Sequence, residues 1–80
     1  MKNFEVIQAF IRGETKGHTT HLKIDDNKLI NYSTPICWRV WECGHWRFIL
    51  NARRYSNTTT RIQNMIRRSI PKFALREVDE

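Results

Sequence analysis

Five arginines, Arg53, Arg54, Arg61, Arg67 and Arg68, crowd into sixteen positions of this chain. A guanidinium is a planar fork of donors that matches the oxygens of a phosphate. The segment Ser56-Asn57-Thr58-Thr59 lies among them, just before an apolar period that reads as a helix. Hydroxyls and unpaired amides at a helix start add donors and a positive dipole end. These residues predict a surface for a phosphate-bearing polyanion, either nucleic acid or a nucleotide. A second group is aromatic: Trp38, Trp41, Trp46 and Phe48, interleaved with Arg39 and Arg47. Indole faces stack on bases, and tryptophan also anchors protein–protein contacts. Trp38, Trp41 and Trp46 are therefore expected either as a stacking platform or as a partner contact.

Other combinations are weaker. His18, His21, Cys37, Cys43 and His45 are zinc-type donors, but there is no Cys-x-x-Cys pair, and Cys37 and His45 are expected on opposite sides of a hairpin. Cys43 next to His45 resembles a thiol and its base, yet a two-residue turn supplies nothing to orient the histidine. Glu5, Glu14, Asp25, Asp26 and Glu42 form no evident pair, and no glycine-rich phosphate loop is present. The expectation is a binder and not an enzyme, with no metal and no cofactor. Two cysteines in a chain of this composition read as free thiols.

The elements that must position these residues follow from periodicity. Phe4, Ile7, Phe10 and Ile11 recur at helical spacing, with Asn3 as the expected cap and Gly13 as the stop. Residues 14–20 read as a polar connection. Residues 21–25 and 28–33 alternate with period two around Asp26-Asn27, predicting a hairpin. After Thr34-Pro35, residues 36–42 and 45–50 predict a second hairpin around Cys43-Gly44. Its register places Trp41 opposite Trp46, Arg39 opposite Phe48 and Cys37 opposite Leu50 on one side. Ile36, Trp38, Val40 and Ile49 fall on the other side, with Glu42, His45 and Arg47. Both sides are partly apolar, which points to a second covered surface. Ser56 or Asn57 caps a helix whose buried stripe is Ile62, Met65, Ile66 and Ile70, and Pro71 ends it. The expected fold is α+β in a single domain over 1–80: a helix, two β-hairpins giving about four antiparallel strands, and a C-terminal helix packed on the sheet. Residues 71–80 are expected as a tail with an acidic end.

The whole chain has 80 residues and a net charge of +6. From Arg39 to Lys72 eight basic residues accompany one acid, Glu42, so the charge is concentrated and suits an anionic partner. No apolar run approaches the roughly 20 residues of a membrane span, and the first residues lack the pattern of a secretory signal. The expectations are a cytoplasmic protein with no membrane partner, and an edge or face compatible with a homo-oligomer.

Gly13, Leu29-Ile30-Asn31-Tyr32, Thr34-Pro35-Ile36, Asn51 and Arg54-Tyr55-Ser56-Asn57-Thr58-Thr59 form an ordered set of landmarks. This set resembles a group of short proteins of tailed phages and other mobile elements, of no established activity, in which a Tyr-Ser-x-Thr-Thr box precedes the last helix. The resemblance implies a phage-type accessory protein acting in the host cytoplasm by occlusion. Such a protein binds DNA or a nucleotide. Alternatively it inhibits a host enzyme or a defence system such as a CRISPR effector, here by docking through the Trp-rich hairpin.

Overall fold

The computed structural model describes residues 2–79. Helix α1 (Asn3–Ile11) starts where the Lys2 amide donates to Glu5 Oε1 at 2.8 Å. Asn3, expected as the cap, instead accepts from the Thr19 hydroxyl through Oδ1. Gly13 ends the helix at φ 95°, with its amide on the Phe10 carbonyl and the Glu14 amide on the Ala9 carbonyl. That is the paired C-terminal closure that a left-handed glycine makes possible. The buried side of α1 is Val6, Ile7, Ala9 and Phe10, while Phe4 faces outward.

Six strands follow: β1 (Lys16–His18), β2 (Leu22–Asp25), β3 (Lys28–Asn31), β4 (Thr34–Glu42), β5 (His45–Asn51) and β6 (Leu75–Val78). They form one sheet in chain order, antiparallel from β1 to β5 and parallel between β5 and β6. Helix α2 (Asn57–Ser69) and a 3-10 turn (Lys72–Ala74) make the crossover that a parallel neighbour requires. The expected four-stranded antiparallel sheet with a C-terminal helix is thus corrected to a six-stranded mixed sheet with an internal second helix. Two strands account for the difference. Residues 16–18, expected in a connection, add β1, a short strand with a glycine at its centre and no apolar alternation. The expected tail returns as β6 because the long crossover brings Leu75–Val78 back beside β5, a pairing that local periodicity cannot reveal.

The two expected hairpins are also joined by a third turn at Tyr32-Ser33, with Tyr32 at φ 58°. Pro35 pairs with Ile30 and Cys37 with Leu29, so Ile36 is the extra residue of a β-bulge. Proline is tolerated there because a bulge releases one ladder donor. The bulge also turns Ile36 into the core, where the expected alternation had placed it on the other side.

Both helices lie on one face of the sheet. Leu22, Ile24, Leu29, Cys37, Phe48 and Leu50 meet Val6, Ile7, Phe10, Ile62, Ile66 and Ile70 in one core. No described helix covers the opposite face.

Candidate nucleic-acid interface

The register of the ladders defines that uncovered face residue by residue. Asp25 pairs with Lys28, Lys28 with Trp38, Trp38 with Ile49 and Ile49 with Arg76. Ladder partners share a face, so these five side chains form a straight row across five strands. Strands lie about 4.8 Å apart. Lys28 therefore stands next to Trp38, and Arg76 about 10 Å beyond it on the other side. Parallel to this row, Val40 pairs with Arg47, and Lys23 pairs with Ile30 and with His18. Lys16 pairs with Asp25. The apolar members Ile30, Trp38, Val40 and Ile49 are half-buried, and the charged members are exposed. Among the described residues of the ladders, Lys16, Lys23, Lys28, Arg47 and Arg76 carry the face against Asp25 and Glu42. A half-buried apolar strip with one aromatic member, Trp38, and a surplus of cations results.

The tryptophans divide between the two faces. Trp38 belongs to the uncovered one. Trp41 and Trp46 face each other across β4 and β5 on the helix side, edge to face, with ring centroids 4.9 Å apart. Trp46 packs against the core, and the Arg39 guanidinium lies 5.4 Å from its ring centre. Trp41 sits near the hairpin tip and is 59% exposed.

The five arginines do not converge on Trp38. Arg53 and Arg54 leave the end of β5, Arg53 with its guanidinium 5.8 Å from the Tyr55 ring centre. Arg61 and Arg68 are exposed on α2, seven residues and thus about 10 Å apart along one side of the helix. Arg67 points to the sheet edge, donating through Nε and Nη2 to Glu77 Oε1 at 3.0 and 2.8 Å and through Nη1 to Asn64. The formation of β6 places Glu77 there, so part of the acidic end neutralises part of the basic stretch.

The hydroxyls of Ser56 and Thr59, at the start of α2, are also engaged. Ser56 Oγ accepts from the Thr59 amide at 3.2 Å and donates to Thr59 Oγ1. Thr59 Oγ1 donates in turn to the buried Asn31 Oδ1 at 2.6 Å, and Asn31 Nδ2 donates to the His21 carbonyl. Asn51 Nδ2 donates to the Tyr55 hydroxyl, and Gln63 Nε2 reaches the Asn51 and Arg53 carbonyls. Within the Tyr-Ser-x-Thr-Thr box, Tyr55, Ser56 and Thr59 therefore form a lock that fastens α2 to β3 and β5, with their hydroxyls held by neighbouring protein groups, while Thr58 is exposed.

Cys37 is buried on the helix side, Cys43 is exposed in the hairpin turn, and His45 pairs with Glu42 on the uncovered side. Among the described residues no three His, Cys, Asp or Glu side chains are grouped to hold a metal. Among them also, no helix is long and apolar enough to cross a membrane.

The face missed by sequence reasoning is Lys16, Lys23, Lys28 and Arg76. Lys23 and Lys28 were legible as outward positions of the first hairpin. Lys16 and Arg76 depend on β1 and β6. Compared with protein families, with curated proteins and with solved structures, the chain matches none.

Proposed function

We propose that this protein is a non-catalytic binder of single-stranded nucleic acid, which it takes on the uncovered face of its sheet. The observation that carries the reading is the cross-strand row Lys28–Trp38–Ile49–Arg76. It offers one aromatic platform with a cation on each side, the arrangement by which a sheet stacks splayed bases and holds the backbone between them. A duplex keeps its base faces stacked and out of reach of a flat indole. A free nucleotide fits less well, because three surface grooves among the described residues have volumes of 170–250 Å³ against about 300 Å³ or more for a pocket that encloses a small ligand. Arg53 and Arg54 stand where the chain leaves the sheet and extend the basic path. Arg61 and Arg68 lie behind it and contribute to the general field.

The test is fluorescence anisotropy with labelled oligothymidylate over a range of salt. Three to five phosphate contacts predict a log–log salt slope of about −2 to −3.5. Absence of binding at low salt, or a Trp38→Ala protein that binds as well as the wild type, refutes the reading.

A second reading rests on Trp41. A tryptophan this exposed, at the tip of a projecting hairpin, has the character of a protein-contact anchor. In this reading the protein inhibits a partner by docking the tip. Affinity capture that resists nuclease and high salt, and that is lost in Trp41→Ala, supports it. Capture that disappears with nuclease removes it.

A further inference from the structure

The row of the uncovered face runs into a groove between β4–β5 and the chain after α2. Val40, Glu42, Arg47, Ile49, Phe73 and Arg76 line it, and its volume is about 170 Å³. That volume admits one planar heterocycle. Phe73 stands at its margin, 81% exposed, an aromatic face with no core role. Ile49 and Arg76 belong both to the groove and to the Trp38 row, so a strand stacked on Trp38 is led directly to it.

The polar groups of the groove are of opposite kinds. The Glu42 carboxylate only accepts hydrogen bonds, and it can take two parallel donors. Arg47 and Arg76 only donate. Arg47 Nε lies 3.8 Å from Glu42 Oε2, beyond hydrogen-bond length, with both side chains more than half exposed. The two form a long, solvent-exposed ion pair with no hydrogen bond, weak enough to exchange for other partners. Among the bases, guanine alone presents two adjacent N–H donors, N1–H and the N2 amino group, on its pairing edge and two acceptors, O6 and N7, on the adjoining edge. A carboxylate matches the first edge, and an arginine fork matches the second. Adenine and cytosine offer the carboxylate a single amino group, and thymine a single ring N–H.

We infer that this groove is a guanine subsite of the single-strand face, with Glu42 reading the N1–H and N2 amino edge, Arg47 or Arg76 reading O6 and N7, and Phe73 covering the ring. The inference rests on the single-strand reading above and adds a base preference to it.

Four labelled strands of about ten nucleotides, oligothymidylate alone and with one central guanine, adenine or cytosine, test it by anisotropy. The guanine strand is expected to bind about tenfold more tightly than the others. Replacing guanine by hypoxanthine, which lacks the N2 amino group, lowers that preference. Glu42→Gln levels the four strands, and Phe73→Ala weakens the guanine strand selectively. Both side chains are exposed, so neither change threatens folding. Equal affinity for all four strands, or a guanine preference that survives Glu42→Gln, overturns the guanine subsite and leaves the single-strand reading standing. Failure of every strand to bind at low salt overturns both.

Discussion

The guanidinium of Arg39 lies 4.8 Å from the centre of the Phe10 ring and donates from Nη1 to the Phe10 carbonyl oxygen at 2.6 Å. Nη2 donates to the Asp26 carbonyl at 2.7 Å, so one side chain ties the end of α1 to the turn between β2 and β3. The residue is only 3% exposed, and its charge is met by carbonyls, by the negative end of the helix and by two aromatic rings. Burial pulls its pKa down from the ordinary arginine value, and the Asp26 carboxylate pulls it partly back. Nε has no partner among the described residues, so the site is not fully compensated.

Truncation of this side chain is therefore expected to cost more than its replacement. Arg39→Ala leaves a cavity and two weakened carbonyl contacts, at about 3 kcal/mol. Arg39→Met keeps much of the volume and removes the buried charge, so it is expected to cost about 1 kcal/mol or less. Urea unfolding followed by tryptophan fluorescence measures both. Equal losses in the two variants show that the hydrogen bonds, and not the packing, dominate.

The bond from Thr59 to Asn31 makes a separate claim on stability. Thr59→Val keeps the shape but leaves the buried Asn31 Oδ1 without its donor. The expected loss is about 1–3 kcal/mol. Asn31→Ala costs a similar amount, and the double variant less than the sum, because the two residues share one interaction. Ser56→Ala removes the cap of α2 and is expected to cost about 1 kcal/mol. Additive losses at Thr59 and Asn31 in a double-mutant cycle contradict the lock.

The two helices and both expected hairpins were legible because their patterns are local. Gly13 marks the end of α1, Ser56 marks the start of α2, and the Cys43-Gly44 turn sets the register from Cys37–Leu50 to Trp41–Trp46. What escaped depends on distant partners. Leu75–Val78 has too few residues to show a period, and it becomes a strand only beside β5. Ser56 could be recognised as a cap, but nothing near it in the chain indicates that Thr59 would reach Asn31. The candidate site was half legible for the same reason. Trp38, Arg47 and Ile49 belong to the second hairpin, whereas Arg76 joins the row of Trp38 and Ile49 only through β6.

The thiols are expected to separate sharply. Burial pushes Cys37 up to about 12 from 9.0, against a weak opposing contact with the Trp38 backbone, whereas Cys43 is exposed in the turn. In the native protein one thiol reacts with a disulfide reagent, and the second follows only on unfolding. The shift also sets a pH dependence. The folded state holds the Cys37 proton more tightly than the unfolded chain, so this stabilisation is complete below pH 9 and is lost as pH rises toward 12. Unfolding free energy should fall across that window, by up to about 4 kcal/mol. Cys37→Ala should flatten the slope while lowering stability at neutral pH. An unchanged slope in that variant assigns the alkaline loss to other groups.

Binding provides the comparison that separates the two faces of the sheet. Trp38→Ala removes the platform and is expected to weaken single-strand binding by about 1–3 kcal/mol, or roughly 5- to 150-fold. Lys28→Ala and Arg76→Ala each remove one phosphate contact and should lower the steepness of the log–log salt slope by about 0.7. Trp41 lies on the helix side, so Trp41→Ala should leave the affinity within about twofold. Arg61 and Arg68 are also behind the sheet. Their joint replacement by alanine acts only through the general field, and its effect should vanish at high salt, where the Debye length falls to a few ångströms. If instead the Arg61/Arg68 double variant loses more affinity than Trp38→Ala at moderate salt, the polyanion lies along α2 and the uncovered face is not its site.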